Sequence, residues 1–410
     1  MDEPRLPEFM PEDSLAVTRY DEMMEVLRSP KMLPEPPTEN EEVSGDTLTT
    51  LAGPAHTRRR RIMNRLVRTG ALDHYRDRLL VPTMRQALLA LRDQPADEDG
   101  LYRADLVRFT RLPFVEFSAA LAGLDRLEDD AAHELLDLVN AMGDQHRVKF
   151  YYGDHRPYVE RGIAAKERFA SGYVAPVLAT CPFRPGDEIP PERHDLLALL
   201  AAQLDPAWAD EDLCVRETFT SVFAAGVGTS STMMTNAIDE LSGWLPKHPD
   251  QAHRLRDLHF LGRVLQETLR LHPIFPAFGR VAAEDVTLST GRTIRAGQWV
   301  AAFPGPSNRD PAVFGEDSDE FVPDRELPRA TQRYGTGFGA GSHQCLGLRV
   351  VLGNDGVGSH AHVLRLLLDA GVARDPDREP RKEPSERDTW EYYPVAFTAL
   401  DSFEPLMATN

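Results

Sequence analysis

The sequence predicts a mainly α fold of the α+β class, built as a single domain over residues 1–410. Three observations predict it. Helical periodicity dominates the chain, the β-like stretches are short, and many of the 32 prolines stand at their boundaries. Neither an internal repeat nor a low-complexity linker divides the sequence, so one packed unit is expected. With 41% hydrophobic residues, 410 residues can bury a large core. No apolar run is long enough to span a bilayer, and the N-terminal MDEPRLPEFMPED lacks the basic patch and apolar core of a signal peptide. Cys181, Cys214 and Cys345 make no disulfide framework, which fits a reducing cytoplasm. The net charge of −19 argues against nucleic acid and anionic membrane surfaces as partners, and it also serves solubility.

Taken in order, residues 16–30 (AVTRYDEMMEVLRSP) read as a strand end followed by a short helix. Residues 38–51 are polar, acidic and poorly periodic, which predicts a mobile loop. Gly53-Pro54 opens a helix, with proline in the first turn where its missing N–H costs nothing. The run His56-Thr57-Arg58-Arg59-Arg60-Arg61 follows, and His56 and Arg60, four apart, share a face. Residues 72–92 and 106–142 read as amphipathic core helices. Residues 146–161 (HRVKFYYGDHRPYVER) are basic and aromatic within an acidic chain, and residues 176–191 are a proline-rich loop.

From 210 to 245 no proline interrupts the pattern, acids stand at its start, and Pro246 ends it. A helix of ~35 residues would run ~50 Å, enough to cross a domain. Its interior Gly226 and Gly228 each cost roughly 1 kcal/mol relative to alanine. Such weak points suit a place where something flat comes close or the ladder opens; close helix packing is the alternative. Glu267-Thr268-Leu269-Arg270 lies on a helix that should stop at His272-Pro273. Residues 274–300 alternate β-like runs with turns.

The chemistry concentrates in FGAGSHQCLG, residues 338–347. Gly335, Gly337, Gly339 and Gly341 free the backbone, and Cys345 stands at the start of an apolar helical run. A helix N-terminus favours a thiolate, and a metal would deprotonate the sulfur outright. A buried structural cysteine and a phosphate-cradling glycine loop are the rivals. The second is weak because Thr331, Gln332, Arg333 and Tyr334 make no apolar strand leading into the loop.

Phe338, Gly341, His343, Cys345 and Gly347 reproduce the haem-binding signature of the cytochromes P450, and the chain resembles a soluble bacterial member of that family. The resemblance runs from about Ala16 to Leu400 and implies haem b as cofactor with Cys345 as the metal ligand. Phe338 would cover the sulfur, and Gly339 and Gly347 belong to the same cofactor loop. His56, Arg60, Arg280 and His343 would meet the haem propionates. Arg58, Arg59 and Arg61 would face an acidic ferredoxin. Glu267, Arg270 and Arg325 (within Pro323-Asp324-Arg325) would form a buried cluster that seats the haem loop.

Ala225-Gly226-Val227-Gly228-Thr229 aligns with the oxygen-binding motif of the long distal helix, and Thr229 with its proton-relay hydroxyl. The family carries an acid where this chain has Gly228. Val222, Ala225, Phe275, Ala277, Phe278 and Val395 would line the substrate pocket, with residues 392–400 as a hairpin touching substrate. The basic and aromatic stretch then has two readings: a solvated helix end, or a pocket roof where Tyr151, Tyr152 and Arg156 meet a polar or anionic substrate. Two further departures stand out. Only about fifteen residues precede the first strand, and Leu352-Gly353-Asn354-Asp355-Gly356-Val357-Gly358 replaces a charged helical stretch after the cysteine.

The activity implied is monooxygenation of a small organic molecule in secondary metabolism. Electrons would come from a ferredoxin and ferredoxin reductase, since no flavin or iron–sulfur segment is evident. Gly228 favours a second enzyme reading: radical coupling, ring closure, desaturation or peroxide-driven turnover. A non-catalytic partner protein is a third, opposed by retention of Cys345 and its propionate partners.

Overall fold

A computed structural model describes residues 5–124, 127, 129–190, 195–203 and 210–403. Among the described residues, helices predominate and the strands form four small sheets. The largest sheet pairs Leu15–Val17 in parallel with Trp299–Ala302, then continues antiparallel through Phe278–Ala282 to Met32–Pro34. A second sheet places Pro394–Phe397 between Tyr102–Asp105 and Val372–Arg374. Arg381–Lys382 pairs with Trp390–Tyr392, and Val286–Thr287 with Thr293–Ile294. Among the described residues, no helix is long and apolar enough to cross a membrane.

The central element is helical from 211 to 244. Asp210 caps it by accepting from the amides of Asp212 and Leu213, and Glu211 and Asp212 complement its positive end. From Phe219 to Gly228 the ladder widens to π geometry, and α geometry resumes at Thr229–Trp244. The expected opening therefore falls at the glycines. Leu258–Leu271 is capped by Asp257, ends before His272-Pro273 as predicted, and buries ten of its residues.

Several expectations change. Residues 38–51 are not a loose loop: Glu41–Ser44 is helical, and Val43, Ser44, Thr47 and Leu48 are buried. The Leu48 amide donates to the Glu217 carboxylate, a long-range anchor that local polarity could not reveal. Pro176 stands in the first turn of the helix Ala175–Thr180, so the proline-rich loop begins at Cys181; Pro191 lies outside the described residues. Residues 394–397 form the middle strand of a sheet rather than a hairpin. The hairpin is the earlier Arg381–Lys382/Trp390–Tyr392 pair, whose tip is residues 383–389. After the cysteine, the short helix Leu348–Leu352 breaks at Gly353, and a new helix runs Ser359–Asp369.

Candidate active site

The loop ending in Cys345 is folded by short backbone bonds: the Cys345 amide donates to the Phe338 carbonyl at 2.9 Å, and the Gly339 amide to Thr336 at 2.8 Å. Gly339 and Gly341 sit at φ +65° and +70°, and a Cβ on Gly341 would stand 2.5 Å from the Leu27 carbonyl oxygen. The loop thus rests against the first helix, Tyr20–Arg28, in a way a larger residue would prevent. Burial pushes the Cys345 thiol up, while the Gly347 amide, the Arg60 charge and the Leu348 amide pull the other way. Those amides open the helix Leu348–Leu352. Phe338 packs edge-on against Tyr334, with ring centroids 5.0 Å apart.

Four basic groups converge beside this loop. The His56 and His343 rings lie 4.1 Å apart. Burial drives His343 down to about 3, helped by His56, Arg280 and Arg60, so it stands neutral. Burial and Arg60 also lower His56. Arg280 is held at about 10 by burial and gives its hydrogen bond to the Gly279 carbonyl. Arg60 bonds to the Asn64 side chain. Among the described residues, none of the four pairs with a carboxylate, and the buried His56 Nε2 has no partner. Two half-buried guanidiniums, Arg60 and Arg280, stand here without acids of their own, which leaves positive charge to be balanced from elsewhere. The two propionates of a haem would supply that balance, with the Cys345 sulfur available to its iron, so the residues present fit that group.

Arg59 overturns its surface reading. It is buried, and it donates to the Glu217 carboxylate at 3.3 Å and to the Asp46 carbonyl. His56, Arg59 and Met63 are the buried face of the helix Gly53–Met63, while Arg58 and Arg61 are exposed.

On the central helix Ala225 is exposed although its neighbours Val222, Phe223 and Val227 are buried, which marks open space against the π segment. The Thr229 hydroxyl donates back to the Ala225 carbonyl. Gly226 faces Ser118. Beside Gly228, apart from its own helix backbone, the one described atom within 4 Å of an added Cβ is Arg147 Nη1, at 3.8 Å. Phe275 is half-buried between Phe150 and Phe278, with centroids at 6.4 and 6.2 Å. Three of the expected pocket residues are core instead. Val222 packs in the main core, Val395 is fully buried there as a sheet residue, and Ala277 packs with Met10, Ala301 and Phe303. Tyr152 and Arg156 are exposed, the latter bonded to Asp154, so neither roofs a pocket. Tyr151 is buried, and its hydroxyl meets Asp144 and Glu383 at 3.0 Å each.

The charge cluster is assembled as expected. Glu267 accepts from Arg270 at 2.7 and 2.8 Å and from Arg325 at 3.1 Å, with all three side chains buried. Arg270 also donates to the carbonyls of Asn308 and Ser318, and Arg325 to that of Phe314. The cluster fastens the Leu258–Leu271 helix to the segment that leads into the cysteine loop. Sequence reasoning missed Arg147, Arg111 and Arg387 as buried groups; the basic composition of residues 146–161 was the available signal for Arg147.

Residues 239–351 match the family described as Cytochrome P450. The chain is 28% identical over 340 residues to a putative cytochrome P450 137 of Mycobacterium tuberculosis, covering 80% of this chain and 67% of that protein. It is also 28% identical over 276 residues to a bifunctional cytochrome P450/NADPH–P450 reductase of Fusarium oxysporum. That match covers 58% of this chain and only 25% of the Fusarium protein's length. Among solved structures, the LnmA cytochrome P450 hydroxylase from the leinamycin biosynthetic pathway of Streptomyces atroolivaceus superposes with a TM-score of 0.68 at 23% identity. It covers 94% of this chain and 90% of that one, a likeness of fold.

Proposed function

The chain belongs to the cytochrome P450 family, and from that premise we propose that it is a haem-thiolate monooxygenase acting on a small organic molecule. The observation that carries this reading is Cys345 at a helix start beside four basic groups that lack acids of their own. Haem b, if held by the Cys345 sulfur, would supply dioxygen activation and electron transfer. The protein's own part is positional. His56, Arg60, Arg280 and His343 would hold the propionates, and the Glu267–Arg270–Arg325 cluster would fix the loop that presents the sulfur. The open face at Ala225 admits substrate, with Phe275 and Phe278 as apolar walls. The Thr229 hydroxyl, directed at the Ala225 carbonyl, would hold a proton beside that open face.

A separate ferredoxin with its reductase is the proposed electron source, with Arg58 and Arg61 as exposed cations for it, in the cytoplasm. Secondary metabolism is the proposed setting, supported by the likeness to LnmA. One observation favours a second outcome: Gly228 leaves Thr229 without a carboxylate partner and places the Arg147 guanidinium nearby, which suits a non-hydroxylating oxidation. The test is to screen compounds for the spectral shift on water displacement, then turn over the hits with a surrogate ferredoxin pair under labelled dioxygen. One labelled atom in the product supports monooxygenation. Oxidised product without label supports the second outcome, and no product or oxygen uptake from any bound compound contradicts both.

A further inference from the structure

Above Gly228 the protein buries more positive charge than it neutralises. Arg147, at the end of the helix Asp129–His146, Arg111, on the helix Leu106–Ala122, and Arg387, in the hairpin tip, come together there. Their acidic neighbours are Asp144 and Glu383. Three guanidiniums therefore face two carboxylates, and His146, driven by burial to about 4, stays neutral. Burial also pushes the Tyr151 hydroxyl up, so it remains a donor and adds no negative charge.

The carboxylates are unevenly shared. Glu383 Oε2 accepts from Arg387 at 3.1 Å, Thr389 at 2.8 Å and Ser385 at 3.1 Å, while its Oε1 lies 3.0 Å from the Tyr151 hydroxyl. Asp144 also lies 3.0 Å from that hydroxyl, whose single proton serves one of the two acids at a time, and it receives only a long contact, 3.4 Å, from Arg147. Arg111 donates to a neutral amide, Asn140, at 3.2 Å. Both Arg147 Nε and Arg111 Nε are buried without a partner. A guanidinium held away from water without adequate acceptors is costly, and a hydrogen-bonded anion relieves it. Arg147 Nη1 lies 3.8 Å from the point where a Gly228 Cβ would stand, and apart from the central helix's own backbone it is the one described atom within 4 Å of that point. The guanidinium thus borders the open space over the π segment.

We propose that this is an anion-binding site in the substrate pocket: Arg147, supported by Arg111, receives the carboxylate of an acidic small-molecule substrate directly over Gly228. Glycine at 228 leaves the room, where a side-chain acid would pair with Arg147 internally and exclude the ligand. The apolar remainder of the substrate extends toward Phe275 and Phe278. This inference rests on the monooxygenase reading only in placing the site beside the haem.

The experiment compares carboxylate and amide of one skeleton, 4-phenylbutanoate with 4-phenylbutanamide and decanoate with decanamide. Binding to the haem-loaded protein is measured by calorimetry and by the spectral shift. The wild type should bind at least one carboxylate about tenfold or more tightly than its amide. Arg147→Gln and Gly228→Glu should each lose that preference, Arg147→Lys should keep part of it, and Arg156→Gln, at an exposed site, should keep all of it. Arg111→Gln serves if Arg147→Gln loads no haem, and it should weaken carboxylate binding. Equal affinities within both pairs, no carboxylate binding at millimolar concentration, or an unchanged preference in Arg147→Gln overturns the proposal. A normal thiolate spectrum without carboxylate preference defeats this inference alone. Carboxylate preference without a thiolate spectrum defeats the monooxygenase reading alone.

Discussion

Position 228 carries no side chain where the family resemblance leads one to expect an acid, and Thr229 keeps only the hydroxyl of the usual acid–alcohol relay. Positioned acid–base groups are worth orders of magnitude in proton transfer. Under the proposed function, protons would then come through water in the space over Gly228 or from a polar group of the substrate, or the reaction would not need the relay, as with peroxide. Thr229→Ala should accordingly slow turnover less than about tenfold, a small fraction of what a complete relay contributes. Gly228→Glu should weaken substrate binding rather than improve catalysis. Product formed per NADH consumed checks both; collapse into peroxide in Thr229→Ala together with better coupling in Gly228→Glu would show an ordinary relay. At this scale the sequence singled out residues that the fold then gathers: His56 and His343 lie 4.1 Å apart, and Glu267, Arg270 and Arg325 form one buried cluster, while the roles of Cys345, His343, His56 and Arg60 toward a haem belong to the proposal. The sequence did not separate pocket from core. Val222, Ala277 and Val395 are apolar like their neighbours, and only packing decides which side of a backbone an apolar residue faces. Arg147 was obscured for the converse reason, since a charged residue in a basic run reads as solvated until burial is known.

Elements were legible where one strong signal set both ends. Asp210 and Pro246 bracket the central helix, and His272-Pro273 ends the Leu258–Leu271 helix. The hairpin was misplaced because a period-2 pattern reads alike in Trp390–Tyr392 and in Pro394–Phe397; only the pairing partners distinguish them. The glycine-rich break after Cys345 acquires a physical account from packing. The Gly356 carbonyl approaches the Leu258–Leu271 helix so closely that a Cβ on Gly262 would stand 2.0 Å from it. Two glycines thus let the break dock onto the helix that carries Glu267. Gly262→Ala should force them apart at a cost of about 1–3 kcal/mol, lowering the melting temperature and the haem content together. An unchanged melting temperature would mean that the approach is not needed.

Over the whole molecule, buried ion pairs tie the segments around the cysteine loop. Glu267→Ala strands the guanidiniums of Arg270 and Arg325 in the interior, a loss of about 3–5 kcal/mol, and should give apoprotein or aggregate. Normal haem content and an unchanged melting temperature would refute that role. A second tie is pH-sensitive. The His272 ring bonds to Asp388 in the hairpin tip and Glu240 on the central helix, each at 2.6 Å. Burial pulls its pKa down, but the two carboxylates outweigh burial and raise it to about 9. A raised imidazole stabilises fully below its unfolded pKa of about 6.5, and that contribution is lost as pH climbs toward 9. Urea midpoints of the wild type should therefore fall between about pH 6 and about pH 10 more steeply than those of His272→Gln. Parallel profiles would show that the contact is inert. The overall architecture, mainly helical with small edge sheets, was open to the sequence because helical period and proline punctuation are local signals. The anchoring of residues 38–51 by Glu217 was not, because its partner lies far along the chain. The most direct test of the central claim is the carbon monoxide spectrum of the freshly purified, reduced protein. Thiolate ligation by Cys345 predicts the red-shifted band and its loss in Cys345→Ser without wholesale unfolding. A stable imidazole-type spectrum in folded wild type, or the red-shifted band persisting in Cys345→Ser, would contradict it.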